Sequence, residues 1–170
     1  YSLEKFDAFC FFGSGDVLFS LLDFLGNKLC GKPIYFIRRN PKNDKELQSF
    51  YKESTFLSFS PSSLDFVLDL HEGGKNLCLV QATSAPSKGD DLSSFVPQLD
   101  RFEGLFYDLL YSEPSRMYKA VKARGGEVLD GLPMLIEQAL LAQEIWWGES
   151  ASYDFVLKKV LAFLNKEASL

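Results

Sequence analysis

Apolar positions along the first two thirds of the chain fall into short unbroken runs that alternate with stripes of helical period. Residues 6–12 are almost continuously apolar and aromatic, the pattern of a strand buried on both faces of a parallel sheet, and the run stops at Gly13-Ser14-Gly15. Leu18, Leu21, Leu22, Leu25 and Leu29 then recur at helical spacing, with Gly26 and Gly31 weakening and ending the stripe. A second strand over residues 33–37 is closed by Arg38-Arg39-Asn40-Pro41, because proline and charge stop a ladder. A second helix follows, with Asp44 as its expected cap and Leu47, Phe50 and Tyr51 as its buried face.

Residues 55–70 carry both signals, Phe56, Leu57 and Phe59 for a strand and Leu64, Val67 and Leu68 for a helix, so one of each is expected. Residues 76–80, 104–110 and 127–129 read as three further strands. The helix expected over residues 115–123 ends at Arg124-Gly125-Gly126, a basic last turn followed by glycine. Past Gly131, residues 132–147 and 153–164 form two amphipathic helices joined by Gly148-Glu149-Ser150.

Strands alternating with helices at this pitch require parallel pairing and helices on both faces of the sheet. The expected fold class is therefore α/β: a Rossmann-type, doubly wound, mostly parallel sheet in three layers, with two C-terminal helices. Residues 1–130 form the nucleotide-binding domain and residues 131–170 the helical appendage. In such sheets the ligand lies at the carboxyl ends of the strands, so Gly13, Arg38, Thr83, Leu109 and Gly131 are predicted to border one crevice.

Composition narrows the classes. With 170 residues, 46% of them apolar and 24% charged, the chain suits one folded domain with a small appendage. A net charge of -5 and an isoelectric point near 4.9 argue against a nucleic-acid surface. The longest apolar run, residues 17–22, is far short of a membrane span. Cys10, Cys30 and Cys78 are odd in number and widely spaced, which suits buried thiols in a reducing, cytoplasmic compartment. His71 has no second histidine with which to share a metal and reads as a loop residue. The start at Tyr1, without Met or a leader-like segment, is expected of a piece of a longer chain.

Gly13-Ser14-Gly15, after a buried strand and before a helix, lets backbone amides approach a pyrophosphate at a positive helix end. Asp16, Val17 and Leu18 depart from the full dinucleotide fingerprint, and a bare strand-to-helix turn is the alternative. After the second strand, Arg38, Arg39, Asn40 and Lys42 stand where a reader of the free ribose hydroxyl carries an acid. Such cations suit a 2′-phosphate, or else form a solvated basic turn. Asp108, Tyr111 and Gln138 offer polar groups at the crevice mouth, with Asp108 equally suited to a structural hydrogen-bonding role. No serine, cysteine or histidine arrangement suggests a nucleophilic triad.

Three blocks carry a family resemblance: Val80-Gln81-Ala82-Thr83-Ser84, then Tyr107-Asp108-Leu109-Leu110-Tyr111, then residues 130–139 from Asp130-Gly131-Leu132-Pro133 onward to Trp146-Trp147-Gly148. Their order and spacing resemble those of shikimate dehydrogenases over nearly the whole chain. The resemblance implies an NADP-dependent enzyme that interconverts 3-dehydroshikimate and shikimate, with this chain as its NADP-binding portion. It implies a pyrophosphate loop at Gly13, Ser14, Gly15, Asp16 and Val17, and a phosphate clamp at Arg38, Arg39, Asn40 and Lys42 extending to Asn43. Thr83 and Ser84 would form part of the cofactor wall, Leu109 and Gly131 would border the nicotinamide, and Tyr111 and Gln138 would contact the substrate. Residues 131–170 would pack toward a substrate domain that in the family precedes the first strand and holds the catalytic lysine and aspartate. No residue of this chain is assigned a catalytic role, so the chain alone is expected to be inactive.

A non-catalytic nucleotide-binding or regulatory module is the rival reading, motivated by Asp16 and Leu18 in the glycine loop. A methyltransferase on the same sheet would need an acid after the second strand, where Arg38 and Arg39 stand.

Overall fold

Side chains alternate across a strand, and in residues 8–12 both sets are apolar, so this segment can be buried only at the centre of a covered sheet. A computed structural model of the protein, describing residues 2–29, 31–111 and 113–167, has that arrangement. The first strand, β1 (Ala8–Phe12), is buried throughout and lies between β2 (Ile34–Arg38) and β4 (Leu77–Gln81). Outside them pair β3 (Thr55–Ser58) on one side and, on the other, β5 (Leu105–Asp108) and then β6 (Glu127–Leu129). The order is β3-β2-β1-β4-β5-β6, and every pairing is parallel. The sheet expected to be mostly parallel is wholly so.

One face of β1 presents Phe9 and Phe11, which pack with Phe36, Val80 and the apolar stripes of α1 (Asp16–Leu25) and α2 (Asp44–Phe50). Phe11 stacks on Phe36 at 5.6 Å between ring centroids, and Phe36 on Phe56 at 5.2 Å, so an aromatic ladder crosses three strands. The other face, with Ala8, Cys10 and Phe12, packs with α3 (Pro61–Leu70) and α4 (Arg116–Ala123) through Leu64, Val67, Leu68, Met117 and Val121. Two helices on each face make the three layers of a Rossmann-type fold.

Two local expectations change, and a connection left unread in the sequence takes shape. Asp44 does not cap the second helix: it is the first residue of α2, behind Asn43, and its carboxylate is taken by Arg38. The link from β4 to β5 contains no α-helix; it runs through three 3-10 turns, Pro86–Lys88, Ser93–Phe95 and Pro97–Arg101. Prolines at 86 and 97 lack the amide hydrogen a longer helix would need, and Leu92, Phe95 and Leu99 still fill the place of a helix against the sheet. The stripe expected to run to Leu29 leaves α-helical form at Leu25 and continues as a 3-10 turn, Gly26–Leu29.

Cys10 and Cys78 are buried free thiols, and burial pushes the Cys78 thiol up to about 12; Cys30 and the Phe50 side chain lie outside the described structure. Residues 131–170 form a separate unit in which α5 (Leu132–Trp147) packs with α6 (Tyr153–Glu167). Gly148, at φ +76°, closes α5 in the left-handed conformation. Among the described residues no helix is long and apolar enough to cross a membrane.

Candidate functional site

Four neighbouring strands finish at one level. Phe12 is level with Ile37 and Gln81, and Gln81 with Asp108. The ladder runs one step further into the loops: the amides of Gly13, Ala82 and Leu109 donate to Ile37, Phe12 and Gln81 carbonyls at 2.9, 3.0 and 3.0 Å. The loops after these strands therefore start from a rigid edge and surround a common crevice.

Gly13 has φ +109°, and a Cβ there would lie 3.1 Å from Thr83 Cγ2 and 3.2 Å from the Ala82 carbonyl oxygen. The fold itself needs glycine at this position, since the loops after β1 and β4 touch here. Gly15 is different. Its φ is ordinary and an added Cβ would meet nothing within 4 Å, so no contact of the fold calls for glycine. Open space beside a backbone amide at the start of α1 is what an anionic ligand requires. Asp16 and Val17, the next two residues, are exposed in the first turn of α1.

The loop after β1 is tied to the turn after β2. Ser14 Oγ donates to the Asn40 carbonyl at 3.3 Å, and Asn43 Nδ2 donates to the Ser14 carbonyl at 2.6 Å. Asn40 Oδ1 accepts from the Lys42 amide at 2.9 Å, which fixes the 3-10 turn Pro41–Asn43, and the Lys42 side chain is exposed.

The two arginines expected side by side in a clamp part company. Arg38 turns back: Nε donates to Asp44 Oδ1 at 2.9 Å, Nη2 to Asp44 Oδ2, and Nη1 to the Leu57 carbonyl at 3.0 Å. The hydrogen bond to Asp44 holds its pKa above the usual arginine value, and the pair is mostly buried. Arg39 instead lays its guanidinium over the ring of Phe59, 4.3 Å from the centroid, with Nη2 donating to Asp90 Oδ2. Phe59 is itself held edge-on by Phe95 at 4.9 Å and by Phe12 at 6.3 Å, so Arg39 rests on a platform continuous with the core.

On the β4 and β5 side, Gln81 is fully buried at the strand end; its Oε1 accepts from the Thr83 amide and its Nε2 donates to the Thr83 carbonyl at 3.2 Å. Thr83 Oγ1 accepts from the Ala85 amide at 3.2 Å, while Ser84 is exposed. Asp108 lies inside rather than at the crevice mouth. It is fully buried and accepts from the amides of Leu110 at 3.1 Å and Ser115 at 2.8 Å, the structural alternative. Burial raises its pKa and the Ser115 hydrogen bonds oppose the rise. Leu109 is half-buried and Tyr111 exposed. Gly131 and Gln138 belong to the helical unit, where the Gly131 carbonyl accepts from the Leu135 amide at 3.0 Å and Gln138 is exposed on α5.

A hollow of about 940 Å³ also opens nearby, lined by Pro86, Asp91, Leu110, Glu113, Arg116 and Lys119 among others. Neither the glycine loop nor Arg39 lines it, and its charges pair internally, Arg116 with Asp91 at 2.9 Å and Lys119 with Glu113 at 3.5 Å. The convergence of backbone amides and a presented cation favours the strand-end crevice over this hollow. Sequence reasoning missed Phe59, Asp90 and the role of Gln81; a buried glutamine closing an apolar strand was the one signal available.

No protein-family profile matches the chain. Among curated proteins, the shikimate dehydrogenase (NADP(+)) of Desulforamulus reducens is 32% identical over 137 residues, 76% of this chain and 45% of that protein. That of Chlorobaculum tepidum is 36% identical over 94 residues, 52% of this chain and 32% of that protein. Among solved structures, shikimate dehydrogenase from Mycobacterium tuberculosis superposes with a TM-score of 0.73 at 22% identity, covering 94% of this chain and 59% of that one. The Listeria monocytogenes shikimate 5-dehydrogenase, solved in complex with shikimate and NAD, gives 0.70 at 16% identity, covering 92% and 56%. The chain spans between about a third and about half of the length of these curated relatives. In sequence and in fold, this chain is similar to part of the shikimate dehydrogenases, over less than half the length of the curated ones.

Proposed function

We propose that these residues form the NADP-binding portion of an oxidoreductase that interconverts 3-dehydroshikimate and shikimate. The observation that carries the reading is Arg39, its guanidinium held over Phe59 at the strand ends, in the turn that Asn43 ties to the glycine loop. One turn would thus present a cation for a 2′-phosphate while fixing the loop that receives the pyrophosphate. The space at Gly15 fits that pyrophosphate. When bound, the cofactor supplies a hydride exchanged between the nicotinamide and the ketone carbon.

The chain's own work would be binding and orientation. The first-turn amides of α1 would hold the pyrophosphate, Thr83 and Ser84 would wall the cofactor, and Leu109 and Gly131 would border the nicotinamide. Tyr111 and Gln138 would contact the substrate. The resemblance puts the proton-handling lysine and aspartate in a domain ahead of the first strand, so the 170 residues alone are proposed to bind without turnover. The second reading, a non-catalytic nucleotide-binding module, is favoured by Asp16 at the first residue of α1, where it opposes an incoming anion.

The test is calorimetric titration of the 170-residue chain with NADPH and NADH. NADPH should bind at least about tenfold more tightly, since a charge-assisted bond contributes roughly 1.5 to 3 kcal/mol. Arg39→Ala should remove the preference, whereas Arg38→Ala should lower stability and leave the ratio alone. Equal affinities in the unmodified chain contradict the reading.

A further inference from the structure

Arg39 meets the crevice with one edge of its guanidinium already engaged. Asp90, 51 residues later in sequence, belongs to the turn that follows β4 and the 3-10 segment Pro86–Lys88. That turn is held firmly. Gly89 has φ +88° and Leu92 φ +56°, a left-handed conformation rare for leucine, and the Leu92 side chain is buried in the same core cluster as Phe95. The Asp90 amide donates to the Ala85 carbonyl at 3.0 Å, and Asp90 Oδ1 accepts from the Leu92 amide at 3.1 Å. With one carboxylate oxygen fixed to backbone, the other is aimed at Arg39 Nη2. The bond to the Leu92 amide, followed by the one to Arg39, holds the Asp90 carboxyl below the usual carboxylate range, so it is charged at neutral pH. Both partners remain open to solvent, at 55% exposure for the Arg39 side chain and 44% for Asp90, so an incoming ligand can reach the pair.

We propose that Asp90 sets cofactor specificity: it competes with the 2′-phosphate for Arg39 and accepts the 2′-hydroxyl of a cofactor without that phosphate. The inference rests on the reading that Arg39 faces the 2′-substituent. A phosphate arriving at Arg39 must displace a fixed carboxylate or sit beside it, and like charges in a partly desolvated crevice repel. A ribose hydroxyl has the opposite fate, because a carboxylate there is the acceptor that readers of the free ribose use. Arginine and aspartate side by side therefore pull in opposite directions, and NADPH keeps its lead over NADH but a smaller one than Arg39 alone would give.

Asp90→Asn separates the effects, because its Oδ1 can still accept from the Leu92 amide while the charge is gone. NADPH and NADH are titrated into the full chain and into this variant, with thermal melting as the check on folding. Asp90→Ser, whose hydroxyl can also accept from the Leu92 amide, is the second variant should the first melt early. NADPH should tighten on the order of tenfold, with NADH unchanged or weaker, so that the ratio widens. An unchanged ratio, or weaker NADPH binding as expected if Asp90 merely positions Arg39, overturns the proposal. Absence of binding by either cofactor to all three proteins overturns the Arg39 reading itself, and shows as a missing isotherm rather than an unaltered ratio.

Discussion

The Asn43 side-chain amide donates to the Ser14 carbonyl at 2.6 Å, so a residue at the start of α2 holds the loop that opens α1. The hydrogen bond from Ser14 Oγ to the Asn40 carbonyl, at 3.3 Å, closes the same link from the other side. Cutting the stronger of the two should loosen two ligand-facing loops at once. Asn43→Ala is expected to cost about 1 kcal/mol of stability, the usual net contribution of one hydrogen bond, and to weaken NADPH binding severalfold. Urea denaturation and a cofactor titration on the same preparation check both halves.

The two glycines of the loop should separate fold from function. At Gly13 a side chain would meet Thr83 and Ala82 in a left-handed backbone, so Gly13→Ala should destabilise by at least about 1 to 2 kcal/mol. Gly15→Ala meets nothing, so stability should stay within about 0.5 kcal/mol while NADPH affinity falls. Thermal melts with and without NADPH distinguish the variants: Gly13→Ala lowers the melting temperature of the free protein, and Gly15→Ala lowers only the shift caused by cofactor.

Asp16 stands exposed in the first turn of α1, where a carboxylate favours the empty helix end and opposes an anion. Two unit charges about 6 Å apart repel by roughly 3 kcal/mol at an effective dielectric near 20, before salt and side-chain rotation reduce it. Asp16→Gly should therefore tighten NADPH binding on the order of tenfold and slightly destabilise the free protein. Calorimetry at two salt concentrations checks this: the gain should shrink as salt rises, and an unchanged affinity would show that the carboxylate points away from the ligand.

His71, the one histidine of the chain, hydrogen-bonds through Nε2 with the Tyr35 hydroxyl at 3.0 Å. Burial lowers its pKa below 6.5, with the charge of Asp7 opposing the shift. The folded protein thus binds this proton less readily than the unfolded chain. The corresponding stability is fully present above pH 6.5 and is lost as pH falls from there through the lowered folded value. Proton NMR titration of the single imidazole should give a midpoint below 6.5, and His71→Gln should flatten the pH dependence of stability just under that value.

Much of the architecture was legible because the sheet is covered on both faces. Continuous apolar runs such as Phe9, Cys10, Phe11 and Phe12 have no other stable placement, and the helical stripes between them fix the alternation. The link from β4 to β5 was not legible, since short 3-10 turns have no period long enough to detect and their apolar residues, Leu92, Phe95 and Leu99, are irregularly spaced. At the site, local order was readable and distant pairing was not. Arg38 and Arg39 are chemically alike and adjacent; only the fold sends one to Asp44 and the other to Phe59 and Asp90. Asp108 shows the same limit, because a carboxylate in the last position of β5, directly after Tyr107, gives no sign that Leu110 and Ser115 amides will claim it.

The central claim is that a dinucleotide binds where the glycine loop meets the turn after β2, and amide chemical-shift mapping tests it most directly. On titration with NADPH, the backbone amides of Ser14, Gly15, Asp16, Arg39 and Thr83 should shift together along one saturating curve. Those around the hollow at the opposite end of the sheet, Leu70, His71 and Asn76, should stay in place. Saturable shifts confined to that hollow, or no shifts anywhere at millimolar NADPH, would contradict the account.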